Sequence, residues 1–249
     1  MFHALTRSPL FPTGAALALA LALAAPAGHA ASSQLQAFAD SGNVPLAPWH
    51  VMGLPHQHKP FTRFAVLDLD GRRALRVEAE SSYGLLVHTL HADPAPQNLS
   101  WRWRVDEPNL AVDLRSRQGE DSALKVCVLW DMPIERVPFV ERQMLRVARG
   151  TSDVPLPAAS VCYVWDAHLP VGTQLESPFT HRLRFIVLRS GDDSLQHWVS
   201  ERRDIAADFF ALFGAETDAL PALIGVAVGA DADNTHGHSL GWVAEMVLD

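Results

Sequence analysis

The densest run of oxygen donors in the chain is Asp231-Ala232-Asp233-Asn234-Thr235, with Gly237 close behind. Carboxylate and amide oxygens packed this closely suit Ca²⁺, which takes roughly six to eight oxygen ligands, and they suit sugar hydroxyls equally. The spacing opens like an EF-hand loop and then departs from it: His236 stands where that loop needs Gly, and Trp242 where it needs a bidentate Glu. Asp231 and Asp233 are therefore Ca²⁺ candidates and Asn234 a ligand candidate. A strand-to-strand turn whose Asx side chains bond their own backbone is the competing reading.

A second set consists of charges inside otherwise apolar strands: Arg102, Arg104, Asp121, Lys125, Arg182, Arg184, Glu201, Arg203 and Asp208. Opposite charges on a sheet face pair readily, and buried ones must pair, so an ion-pair network accounts for them. The functional alternative is a polar groove in which Trp103 and Trp165 stack on a ring while Asp121, Glu201 and Arg203 bond hydroxyls. Two His-x-His segments, His56-Gln57-His58 and His236-Gly237-His238, each offer half of a Zn²⁺ site if strand-borne; nothing in the spacing brings the halves together, and exposed loop histidines explain them as well. Glycoside hydrolysis needs two carboxylates at a set separation. Glu78, Glu80, Asp121, Glu201, Asp231, Asp233 and Glu245 supply candidates whose distances a sequence does not fix. No Gly-x-Ser-x-Gly elbow or phosphate-binding glycine loop is present. Cys127 and Cys162 sit in matching apolar runs, Val126 to Asp131 and Val161 to Asp166, and either bridge or stay as buried thiols.

Alternation of period two dominates the elements that must carry these residues. Leu99, Trp101, Trp103 and Val105 share one face of a strand and Ser100, Arg102, Arg104 and Asp106 the other. Strands are expected near 61–69, 73–80, 83–90, 99–106, 123–131, 160–166, 182–190, 195–202, 223–230 and 240–248, with 125–130, 161–165 and 223–228 apolar on both faces as in central strands. Helix is scarce: Asp204 to Leu212, with Asp204 as N-cap, and a second within Glu135 to Arg149 whose start Pro138 limits. The 132–159 connection is long for a compact domain, which makes it a lid or partner-surface candidate. Many strands at short spacing and one or two short helices predict a mainly β, jelly-roll-like β-sandwich.

The ends and composition bound the setting. Arg7, the apolar run Ala15 to Ala25 and the small residues Ala25, Ala27, Gly28 and Ala30 read as a secretory leader over residues 1–30, followed by a single domain over 31–249. Export to the periplasm or beyond is the expected localisation. No later run is long and apolar enough to span a bilayer, so no membrane insertion is expected once the leader is removed. The formal net charge of −8 argues against nucleic acid and anionic lipid surfaces.

Several motifs, in order, resemble a known family. They are Pro45 to Trp49, Thr62-Arg63-Phe64, Leu75 to Ser82, Leu99 to Val105, Gly119-Glu120-Asp121, Tyr163-Val164-Trp165, Val187 to Gly191, Glu201 to Phe209 and Gly229 to Thr235. Together they resemble the bacterial domain-of-unknown-function 3047 family over roughly residues 40–249. Glu120 stands where the family pattern has Asp, and Lys125 where it has Arg; both keep charge and change reach. The resemblance implies an exported protein with a jelly roll similar to carbohydrate-binding modules, and no assigned activity; fold analogy does not supply one.

The residues and the resemblance together point to a non-catalytic exported binding protein for a carbohydrate or another small polar ligand, through Trp103, Asp121, Trp165, Glu201, Arg203, Asp231, Asp233 and Asn234. No cofactor is implied, Ca²⁺ at Asp231 and Asp233 aside. A glycan hydrolase built on a carboxylate pair and an envelope assembly protein are the alternatives.

Overall fold

The strands of a computed structural model run Trp49–Met52 (β1), Arg63–Leu69 (β2), Arg72–Glu80 (β3), Tyr83–Ala92 (β4), Asn98–Glu107 (β5), Ser122–Asp131 (β6), Ala159–Asp166 (β7), Gln174–Glu176 (β8), Leu183–Ser190 (β9), Val199–Asp204 (β10), Ala222–Asp231 (β11) and His238–Leu248 (β12). Helix α1 spans Phe139–Thr151 and α2 Ile205–Phe213. Residues 1, 34–54, 56–151, 156–192 and 194–249 are described; the predicted leader beyond residue 1 lies outside them.

Two sheets form a β-jelly-roll. One has seven strands in the order β1-β4-β11-β6-β7-β9-β8, the other five in the order β10-β5-β12-β3-β2. All pairs are antiparallel except β7 with β9. Ten strands fall where alternation predicts them. The short edge strands β1 and β8 escape prediction because three or four residues carry too little period-two signal. β10 starts at Val199 rather than near 195, since Gln196 takes a positive φ of 61° and the chain turns there. Asp70 and Gly71 both have positive φ and close the β2–β3 hairpin, as a two-residue turn of this hand requires.

Apolar faces of the two sheets meet in one core. Trp101 and Trp103 of β5 reach across to Tyr163 and Trp165 of β7, with ring centroids 5.3 Å apart for Trp101–Tyr163 and 5.5 Å for Trp103–Trp165. Helix α2 closes one end: Asp204 caps it through Ala207 N at 2.8 Å, and Phe209 sets its ring 5.1 Å from that of Trp130. The outer face of the five-stranded sheet is a ladder of charges, such as Arg63–Glu78 at 3.0 Å and Arg104–Asp106 at 2.5 Å.

The Cys127 and Cys162 Sγ atoms are joined, and the two residues are direct cross-strand partners on β6 and β7. Thirty-five residues separate them, so the bridge restricts the unfolded chain by about 3–4 kcal/mol on the loop-entropy account. Urea unfolding of the oxidised and reduced protein should differ by about that amount. Trp165→Ala, which removes a fully buried inter-sheet ring, should cost about 3–5 kcal/mol in the same assay, against about 1 kcal/mol or less for the exposed Arg63→Ala.

Candidate functional site

The structure divides the residues singled out from sequence into two groups. Trp103 and Trp165 lie between the sheets at 0% and 1% exposure, so neither offers a ring face to a ligand. Trp103 Nε1 donates to Glu201 Oε1 at 3.1 Å, and Arg189 Nε donates to the same oxygen at 2.7 Å. Arg203 grips Asp208 through two nitrogens, at 2.9 and 2.5 Å, while Tyr163 donates its hydroxyl to Asp208 at 2.8 Å. Burial first, then the Asp208 carboxylate, pushes the Tyr163 hydroxyl well above the ordinary phenol range. These polar groups brace the edge of the aromatic core. The other charges inside strands are paired as well: Arg182 and Arg184 both bind Glu216, at 2.6 and 2.5 Å.

Asp121 in the loop before β6, Asp231 at the end of β11, and Asp233 and Asn234 of the β11–β12 turn come together. Asp121 accepts from the backbone N–H groups of Asn234 and Thr235 and from the Thr235 hydroxyl, at 3.2, 2.7 and 2.6 Å. Asp231 accepts from Ser122 N at 2.7 Å and from Lys125 Nζ at 2.5 Å. Asp233 Oδ2 meets Lys59 Nζ at 2.5 Å, and its Oδ1 is buried with no hydrogen-bond partner among the described residues. The three aspartates offer oxygens within 4.8 Å of one another. Two lysine ammonium groups already occupy places a cation would take. The fixed side is the loop before β6, so the turn is held from outside as well as by its own Asx chemistry. Histidine stays out of this group: His238 faces Glu78 and Glu107, at 3.5 and 3.2 Å, and His56 is exposed.

A cleft opens elsewhere, on the outer face of the seven-stranded sheet. Strand β6 is buried on both sides, so Lys125, Cys127 and Leu129 point away from the core as Val126, Val128 and Trp130 point into it. With Leu85 of β4 and Cys162 of β7 they floor a cleft of about 640 Å³, and the disulfide lies in that floor. Gly229 pairs with both Leu85 and Lys125; a Cβ there would stand 2.5 Å from Leu85 Cδ2 and 2.8 Å from the Gly84 carbonyl oxygen, so a side chain there would displace the Leu85 end of the floor. Helix α1 forms one wall. Pro138 starts its hydrogen bonding by accepting from Arg142 N at 2.9 Å, and Val140 and Met144, one turn apart, face the cleft. The segment Ser177 to Arg182 forms the other wall, with the Phe179 ring in it.

Charge gathers at the Lys125 end. Glu120 lies beside the cleft, bonded to Ser177, and burial pushes its carboxyl up to about 7, with the neighbouring Asp231 and Asp121 adding to the rise and Lys125 opposing it. Burial works against the Lys125 charge, yet Asp231 beside it holds the ammonium above its ordinary range. Burial also raises the Tyr83 hydroxyl to about 12, so it stays a phenol. Among the described cleft-lining side chains Glu141 is the one carboxylate.

Residues 47–247 match the family described as "Protein of unknown function (DUF3047)". The chain belongs to that family. No curated protein matches this DUF3047 chain in sequence. Among solved structures it is similar to the native family 12 xyloglucanase from Bacillus licheniformis, at 7% identity and a TM-score of 0.43 over 84% of this chain and 97% of that one. That likeness is one of sandwich architecture and carries nothing about chemistry. The family motifs Gly119-Glu120-Asp121 and Gly229 to Thr235 converge at the Lys125 end of the cleft. The cleft's apolar lining was not singled out in the sequence; the one signal for it was the long 132–159 connection, which supplies α1.

Glu120 makes a pH prediction. Its folded pKa of about 7 lies above the ordinary 4.5, so between those values the folded state binds the extra proton. Stability is therefore greatest below the lower value and falls as pH rises to the upper one. Urea unfolding at about pH 5 and about pH 8 should show this loss in the wild type, and Glu120→Gln should shrink it. Equal pH slopes in the two proteins would remove Glu120 as the cause.

Proposed function

We propose that this chain is an exported, non-catalytic binding protein that holds a small molecule with an apolar body in the cleft between α1 and the seven-stranded sheet. The observation that carries the reading is the cleft itself. Its volume of about 640 Å³ falls within the roughly 300–1,000 Å³ typical of small-molecule sites, and it has their composition, an apolar floor and walls with a few polar groups at the edge. Export is supported by the leader pattern of residues 1–30 and by the disulfide, which forms in oxidising compartments. Among the described residues no helix is long and apolar enough to cross a membrane.

Carbohydrate is a weaker fit than the tryptophan content implies. Sugar rings stack on open aromatic faces, and the indoles of Trp101, Trp103, Trp130 and Trp165 are fully buried. The carbon rings lining the cleft belong to Tyr83 and Phe179. Val140 and Met144 are 68% and 61% exposed, and open apolar side chains on a concave surface favour an apolar occupant.

A thermal-shift screen against amphipathic small molecules and a glycan panel, with Ca²⁺ or EDTA, tests this reading. A ligand that binds only the folded state raises the melting temperature by mass action. Val140→Asp and Met144→Trp, both at exposed helix positions, should abolish the shift by charging or filling the cleft while leaving the unliganded melting temperature within a few degrees. Ligand-induced shifts that survive both variants, or no shift with any compound, would overturn it. A Ca²⁺-dependent shift lost in Asp233→Asn would place the ligand at the β11–β12 turn instead.

A further inference from the structure

Among the described residues, each lysine and arginine lining the cleft has an acid beside it except one. Lys125 is paired with Asp231 at 2.5 Å and Arg182 with Glu216 at 2.6 Å. Arg117, in the loop between β5 and β6, also lines the cleft. Among the described residues it makes no ion pair with a carboxylate. It is nonetheless held in place. Its Nε donates to the carbonyl of Pro178 at 3.0 Å, and its guanidinium carbon stands 5.2 Å from the centre of the Phe179 ring. Those two contacts use one of the five guanidinium N–H groups and one face of the plane. The N–H groups of the two terminal nitrogens remain, in the fork that matches a carboxylate edge-on. An exposed arginine held in place at the mouth of an apolar cleft, with no acid partner among the described residues, is one half of a complementary charge pair.

We infer, on the basis of the cleft-binding reading, that the occupant is an anionic amphiphile, a long-chain carboxylate whose apolar chain lies along the cleft floor and whose head is taken by Arg117. The chain would cover Leu85 and Met144, which lose water contact without leaving a polar group unpaired, above a floor in which Leu129 and the disulfide are already buried. The carboxylate keeps its hydrogen bonds by exchanging water for the guanidinium. Charge-assisted hydrogen bonds of this kind are stronger than neutral ones. The protein as a whole is acidic, with a formal net charge of −8, so its overall field repels anions. Selectivity for a carboxylate would therefore come from this one local contact.

Isothermal titration with dodecanoate, 1-dodecanol and dodecyltrimethylammonium, each below its micellar concentration, separates the head from the chain. Dodecanoate should bind the wild type about tenfold or more tightly than dodecanol, and the ammonium compound most weakly. Arg117→Gln should bring dodecanoate down to the affinity of dodecanol without changing dodecanol itself, and Arg117→Lys should keep part of the gap. Equal affinity of acid and alcohol for the wild type, or an unchanged ratio in Arg117→Gln, would overturn the head-group assignment and leave the cleft reading standing. If none of the three binds, or if binding is indifferent to Val140→Asp and Met144→Trp, both fail.

Discussion

Strand β6 is buried along nearly its whole length on both faces, and the rest of the molecule is arranged around that constraint. A strand with water on one side alternates apolar with polar; a strand covered on both sides cannot, because every unpaired polar group on it costs desolvation energy. The chain satisfies this with one continuous apolar run and a single buried charge, Lys125, the other charge being Asp131 at the exposed end of the strand. The inward side meets the core face of the five-stranded sheet, with the tryptophans of β5 and Val243 of β12. The outward side has no third sheet to meet, so it is covered by what the connections supply: the loop before β6, helix α1 and the 177–183 segment. The cleft is where that covering is incomplete.

The buried charge at Lys125 then organises one end. A lone ammonium in such a place would lose its proton or disrupt the fold, and here it is matched by Asp231, with the Tyr83 ring 5.6 Å from Nζ. Asp231 is the last residue of β11, so the pair ties the end of one central strand to the middle of the next. The β11–β12 turn follows directly and is fastened by Asp121. The Asp-rich turn that reads as a ligand loop in isolation is thus also the clamp that fixes where β12 begins. Breaking Lys125 or Asp231 alone would leave an uncompensated buried charge, a far larger penalty than the pair itself relieves.

Much of this fold was legible in the sequence because its strands obey a simple period and its turns use Asp-Gly and Asx chemistry. The burial of 125–130, 161–165 and 223–228 on both faces was legible for the same reason. Site geometry was less so. Tryptophan serves a core and a ligand platform equally well, and the choice depends on which sheet faces which, a tertiary fact. Trp103 and Trp165 belong to different strands whose facing is set by the sandwich, and that facing places them ring against ring. Glu201 accepts from the buried Trp103 indole N–H and Asp208 from the buried Tyr163 hydroxyl, and Arg203 goes with Asp208, to which it donates. The cleft could not be read from any motif, because its lining comes from apolar residues on at least five separate segments, each unremarkable alone.

The disulfide shows why the two faces of β6 cannot be treated separately. Cys127 and Cys162 point outward, into the cleft floor, yet the bridge joins the two strands that also carry Val126, Val128, Tyr163 and Trp165 inward. Fixing the outward register of β6 on β7 fixes the inward register too, because side chains alternate strictly and a slip of one residue would exchange the faces. A slip would place Lys125 in the aromatic core and Val126 in the cleft. The bridge, the Lys125–Asp231 pair and the Trp103–Trp165 contact are therefore three statements of one register, made on opposite sides of the same sheet, and a ligand pressed against the outer face would be read by a surface that the core has already set.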